Sequence, residues 1–240
     1  MENRTVPANL SIGGSAYINA SLTLSSDTVV ENGLNVNSNL NLNGYTLTVD
    51  GDVWLANGTL NINKGKLYIG GDFNLKHTNY NYSDGYLTMQ NDEDYILVNG
   101  NMLVIPYYSN SKLTAGTIEI KGDFTQKYYH GSYQNNFYCS GSHKVILSGE
   151  KLQTVSFAST QSQFNVLDVQ NFSKDGVVFS TAATVVELLD NGCNVSFANG
   201  ERSGWTLEDD EVIDGDLNLS RGTLDLNGHK LTVTGNLVQS

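Results

Sequence analysis

From Leu34 onward the apolar residues of this 240-residue chain come in pairs two positions apart: Leu34/Val36, Leu40/Leu42, Leu47/Val49, Val53/Leu55, Leu60/Ile62, Leu67/Ile69 and Phe73/Leu75. Alternate residues of a strand point to opposite faces, so each pair points inward, while Asn35, Asn41, Thr48, Asn61 and Tyr68 point outward. Long stretches with apolar residues at i, i+3, i+4 and i+7 are absent, and the chain reads as all-β. Successive pairs start six or seven positions apart. Three such steps add to about 20, which brings Leu40 into phase with Leu60, Leu47 with Leu67, and Leu34 with Val53 and Phe73. A sandwich or meander needs longer strands and no fixed return. The pattern therefore predicts a parallel β-helix (β-solenoid), right-handed by the crossover rule, whose stacked coils bury a column that no single coil could bury alone.

A Gly-Asp phrase marks coils elsewhere. It stands at Gly51-Asp52 and Gly71-Asp72, recurs at Gly122-Asp123 and Gly215-Asp216, takes Asn at Gly100-Asn101 and Gly235-Asn236, and has a looser copy at Gly149-Glu150. The spacings are 20, 29, 22, 27, 66 and 20, where 66 reads as three coils of 22. The result is roughly ten coils, each of about 20–22 residues, with surplus chain bulging out as loops near 76–86 and 125–142. "DTVVENGLNVNSNLNLNGYTLTVDGDV" from Asp27 aligns with "DEVIDGDLNLSRGTLDLNGHKLTVTGNL" from Asp210 with one inserted residue, as duplication of a block of coils would produce. Residues 1–26 read as an N-terminal cap or a degraded first coil, and 27–240 as a single solenoid domain. The opening "MENRTVPANLSIGG" and the ending "TGNLVQS" read as the edges of a piece of a longer protein.

Charge narrows the partners. Only 16% of residues are charged and the formal net charge is −12, with no basic cluster, so nucleic acid and anionic membranes are excluded as partners. No apolar run is long enough for membrane insertion. Cys139 and Cys193 lack metal-ligand spacing and read as small core residues, with a disulfide as the alternative. Stacked Asp52 and Asp72 would lie about 4.8 Å apart and repel unless bridged. Calcium is the cation such oxygens would take. The simpler expectation needs no cofactor: a positive-φ glycine turn, with Asp or Asn accepting turn hydrogen bonds. His77, His130, His143 and His229 read as surface or turn residues. Thr46/Thr48 and Thr232/Thr234 are not repeated on every coil, which sets ice binding aside. Asn-x-Ser/Thr triplets, as at Asn57 and Asn171, are frequent in a chain this rich in Asn, Ser and Thr and carry no inference. Asn41 with Asn61, and Asn43 with Asn63, are expected to stack as amide ladders.

Two groups of residues carry candidate chemistry. Ten of the thirteen tyrosines fall between Tyr80 and Tyr138. Rings stack on apolar sugar faces while neighbouring amides bond hydroxyls, so Tyr80, Tyr82, Tyr128, Tyr129 and Tyr133 are the candidate glycan-binding residues. The alternative is that they only cover the sides of coils. The acidic runs "NDEDY" at 91–95 and "EDDEVIDGD" at 208–216 could supply paired carboxylates for polysaccharide cleavage, with Asp209, Asp210 and Asp214 foremost. Solvated turns explain the same runs without chemistry, and no catalytic residue is assigned.

The phrases "GTLDLNGHKLTVTGNLVQS", "AGTIEIKGDFTQK" and "GSHKVILSGEKLQTVSF" resemble a repeat segment of large secreted or wall-associated surface proteins of Gram-positive bacteria, some with adhesion or toxin modules. The resemblance covers about Leu34 to Ser240, and residues 1–33 match it poorly. It implies an extracellular β-solenoid flanked by other domains of a longer chain, and no catalytic residues. The expected function is a non-enzymatic stalk, spacer or adhesin module at the cell surface. Its expected partners are glycans or cell-surface proteins, with end-to-end self-association through open coil ends.

Overall fold

A computed structural model describes residues 4–6, 10–76, 84–108, 111–129, 133–197 and 201–239. Its strands are short and parallel and stack as a β-solenoid of about ten turns, with no helix among the described residues. Three long sheets run along the rod, and a fourth of two strands pairs Glu211–Ile213 with Leu231–Val233. The first face holds six strands, from Arg4–Val6 to Lys112–Leu113. A second holds nine, from Leu10–Ile12 to Thr184–Leu189, and a third twelve, from Ala16–Ile18 to Leu237–Gln239.

The register is the one the apolar pairs dictate. Leu40 partners Leu60, Leu47 partners Leu67, and Leu34, Val53 and Phe73 form one column. Every member of these pairs is buried, whereas Asn35, Asn41, Thr48, Asn61 and Tyr68 are half-exposed. The third-face column continues through Met102, Phe124, Val155, Phe179 and Phe197. Phe124, Phe157 and Phe164 pack at centroid separations of 5.0–5.2 Å and fill the interior where the long coil between Phe124 and Val155 closes.

The first strands follow the same geometry. Arg4–Val6, Leu10–Ile12 and Ala16–Ile18 pair in parallel with Leu22–Leu24, Thr28–Val30 and Leu34–Val36, a return slightly shorter than that of the coils after them. Toward the other end the three equal coils expected between Gly149 and Gly215 are replaced by returns of 24 (155 to 179) and 18 (179 to 197). Ser196 then pairs with Arg202 in antiparallel fashion, which interrupts the column. Beyond this step a separate small core forms around Trp205, Leu207 and Leu217. The two echoing segments share a corner geometry. Asn43 and Asn227 both have positive φ, both precede a positive-φ glycine, and both donate their side-chain N–H to the carbonyl of a preceding coil.

The Gly-Asp phrase turns out differently from the positive-φ turn expected of it. Gly51, Gly71, Gly100 and Gly122 have ordinary φ, and only Gly215 among the Gly-Asp glycines is positive. What these glycines supply is space. A Cβ on Gly122 would sit 2.5 Å from the Gly100 carbonyl carbon and 2.7 Å from Asn101 Oδ1. The following Asp or Asn carries a ladder: Asp52 Oδ1 accepts the N–H of Asp72 (2.8 Å), Asp72 that of Asn101 (2.7 Å), Asn101 that of Asp123 (2.8 Å) and Asp123 that of Thr154 (2.7 Å). Thr154, not Glu150, therefore holds the next rung. Asp216 and Asn236 repeat the contact at 2.7 Å. Only an acceptor oxygen is needed, which is why Asp and Asn interchange. Asn41 and Asn61 align as neighbours, and Asn63 Nδ2 donates to Asn41 Oδ1 at 3.1 Å.

Replacing Asp72 by Asn should leave the denaturant midpoint nearly unchanged, whereas Asp72→Ala should cost about 1–3 kcal/mol through the lost rung. Gly122→Ala should cost about 1–3 kcal/mol by forcing neighbouring coils apart, measured in the same unfolding titration.

Candidate functional site

Successive coils leave the third face at one corner. Leu75, Val104 and Gln126 end three strands in mutual register, and the segments that follow them carry the tyrosines. The chain takes a longer path from Phe73 to its column partner Met102, and from Phe124 to Val155, than it does from Val53 to Phe73, so two long excursions begin at this corner. The coil between them carries Tyr107 and Tyr108 past the same corner, one strand spacing from the second excursion.

The second excursion is pinned to the rod by a buried polar clamp. Asn136 donates to the carbonyls of Lys127 (2.8 Å) and Pro106 (3.2 Å) and accepts from Gln126 Nε2 (2.7 Å). Ser162 Oγ donates to the Gln134 carbonyl at 2.8 Å, and Ser159 Oγ to Gln134 Oε1 at 3.0 Å. Phe137 turns into the core 4.9 Å from Phe124, after which Tyr138 and Cys139 rejoin the rod through bridges to Gln163 and Leu113. The loop is thus held by its own Asn and Phe.

On its outer side four rings meet. Tyr107 lies 4.6 Å from Tyr108, 5.7 Å from Tyr129 and 6.0 Å from Tyr133, and Tyr108 lies 5.2 Å from Tyr133. Tyr108 and Tyr129 are exposed, as is Tyr128, the chain neighbour of Tyr129. Of the five tyrosines named from sequence, the structure brings Tyr129 and Tyr133 together and leaves Tyr128 exposed. Tyr80 and Tyr82 lie outside the described residues. Tyr107 and Tyr108 were missed. A signal existed: Tyr107 stands seven positions after Gly100 and Tyr129 seven after Gly122, so the coil phrase already places them at one corner.

The carboxylates considered for polysaccharide cleavage make the following contacts. Asp210 Oδ1 accepts the backbone N–H of Lys230 at 2.8 Å and lies 3.9 Å from His229 Nδ1. Asp214 Oδ1 accepts from Thr234 Oγ1 at 3.0 Å. Both therefore tie one coil to the next, while Asp209 faces an open cleft. In the other acidic run, Asp94 is buried and its carboxylate accepts the N–H groups of Gln90 and Asn91 at 2.7 and 3.0 Å. No cluster of three His, Cys, Asp or Glu able to hold a metal ion occurs among the described residues.

Of the surface-or-turn expectation, His143 keeps the turn, its N–H donating to the Ser140 carbonyl at 3.1 Å, and departs from the surface. It is fully buried, and neither ring nitrogen has a hydrogen-bond partner among the described residues. It precedes the strand Lys144–Leu147 in the corner column that also holds Asp94 and Gly116. Burial alone lowers its pKa to about 4. His77 and His130 lie outside the described residues. Cys139 and Cys193 are both buried free thiols, and burial raises both pKa values, Cys193 to about 11. Tyr95 donates to Glu119 Oε2 at 2.6 Å, and desolvation together with that carboxylate holds its phenol well above the usual range.

No protein-family model, no curated protein and no solved structure matches the chain.

The His143 geometry predicts a specific acid sensitivity. The folded state refuses a proton that the unfolded state accepts below about pH 6.5, so His143 contributes no pH dependence above that value. Stability is lost as pH falls from about 6.5 to about 4, by up to about 3 kcal/mol. His143→Met should flatten the unfolding midpoint over that window relative to the parent chain.

Proposed function

We propose that the chain is a non-enzymatic structural and adhesive β-solenoid module of a bacterial extracellular surface protein, a stiff spacer that carries a glycan-contacting tyrosine patch on its side. The observation that carries this reading is the cluster of Tyr107, Tyr108, Tyr129 and Tyr133 at the corner where consecutive coils extend their loops. Tilted and edge-on rings on a pinned loop offer flat apolar surfaces at low conformational cost, which suits the carbon faces of sugar rings. About ten turns at roughly 4.8 Å each support a rod about 50 Å long, held by hydrogen bonds that run along its axis. The apolar column that runs unbroken from Leu34 to Phe197 supports the spacer role, because coils stacked in register transmit force in series. The resemblance of its coil phrases to repeats of Gram-positive surface proteins supports an extracellular setting.

A glycan array should give a signal for the intact chain. Tyr129→Ala and Tyr108→Ala should each weaken binding to the positive glycans by about three- to tenfold with unchanged circular dichroism. An array without signal, or binding indifferent to both substitutions, would remove the glycan-contacting role and leave a spacer alone.

A further inference from the structure

The antiparallel step after Val195–Phe197 opens a second, unrelated feature. Where the parallel stack breaks, the segment around Trp205–Glu211 swings over the outer side of the third face and encloses a cleft of about 480 Å³. That volume lies in the range of small-ligand sites. Leu152 and Val178 give one wall an apolar strip, Trp205 lies largely buried behind the other, and polar groups such as Asn194, Ser196 and Thr206 make up much of the rest. The charged lining is one-sided: among the described residues, Asp175, Glu208, Asp209 and Glu211 stand against the single cation Lys174. All five charged residues are exposed to solvent.

Hydrogen bonds hold these walls in place before any ligand arrives. Asn194 Nδ2 donates to the Lys174 carbonyl at 2.7 Å, Asn194 Oδ1 accepts the Thr206 N–H at 3.1 Å, and Thr206 Oγ1 donates to the Gly192 carbonyl at 3.0 Å. Asn194 thus joins the corner carrying Lys174 and Asp175 to the strand carrying Trp205. The cleft is preformed, which lowers the ordering cost of binding.

We propose that this cleft binds a linear organic cation, a chain of methylenes carrying several ammonium groups. Asp175 stands on one segment of the lining and Glu208, Asp209 and Glu211 on another, so the carboxylates suit charge distributed along a ligand rather than concentrated at a point. Aliphatic segments between the ammonium groups would lie against Leu152 and Val178, with Trp205 close enough beneath the cleft to report on occupancy. Anionic ligands meet the same carboxylates and are repelled. The site is independent of the tyrosine patch.

The test uses the full chain in the Trp54→Phe background, which leaves Trp205 as the only indole, titrated with spermine at physiological salt. One spermine should bind per chain, with a change in Trp205 emission. The triple variant Glu208→Gln, Asp209→Asn, Glu211→Gln should weaken binding about tenfold or more. Neutralising three exposed acids on earlier coils, Glu31→Gln, Asp50→Asn and Glu93→Gln, should change it less than about twofold. Absence of binding would overturn the proposal. So would equal weakening by both triple variants, which would mean a diffuse response to the chain's net charge. Saturable binding of neutral cellohexaose with no response to spermine would overturn it in favour of a sugar site.

Discussion

Backbone hydrogen bonds between parallel coils hold each coil about 4.8 Å from the next, and that one distance governs the rest of the molecule. At this separation every position on a coil meets its equivalent on the neighbours. An apolar residue must meet an apolar residue, as Leu34, Val53, Phe73, Met102 and Phe124 do. A corner must meet a corner without steric surplus, so Gly122 cannot gain a Cβ against Gly100. Like charges must find a donor between them, and the carboxylate of Asp52 finds the backbone N–H of Asp72. The ladder turns a repulsive stack of aspartates into a row of charge-assisted contacts running along the rod.

The same constraint explains where recognition can reside. The three faces are committed to strand pairing, so variation is tolerated only where chain can leave the stack and return without disturbing register. The corner after the third face is such a place. Because the coils there are one strand spacing apart, residues from separate excursions come together: Tyr107 and Tyr129 belong to different coils in sequence and lie 5.7 Å apart in space. Asn136 and Phe137 make this possible by anchoring the later loop from beneath, one through three hydrogen bonds and the other through core packing.

Interruption of the stack has a second consequence at the far end. Once Ser196 and Arg202 pair antiparallel, the main column cannot continue and a second core starts around Trp205 and Leu217. A solenoid that stays in phase leaves little concavity on its side. A break in phase produces a cleft, and here it lies among carboxylates that on a regular coil would simply face water. Within the regular coils, His143 shows the opposite cost of stacking: a polar ring is buried at a corner with no hydrogen-bond partner among the described residues, and burial disfavours its protonated form.

Periodicity of two within strands and of about 20 between coils is written in side-chain chemistry, so the all-β class, the inward column and the residues that share a phase could be read directly from the order of Leu, Val, Ile and Phe. The Asp/Asn interchange was legible as a hydrogen-bonding corner for the same reason. The role of the neighbouring glycines was not, because it depends on the distance to the coil beneath rather than on local conformation. Nor was the burial of His143 or the cleft beside Trp205, and for Tyr107 and Tyr129 the shared offset from Gly100 and Gly122 marked the corner but not the contact. Each of these depends on which coil lies next to which and on where the stack loses phase, and such contacts join residues that the linear order keeps a full coil apart. Local pattern specifies the coil, while the packing of one coil on another decides what its corners can bind.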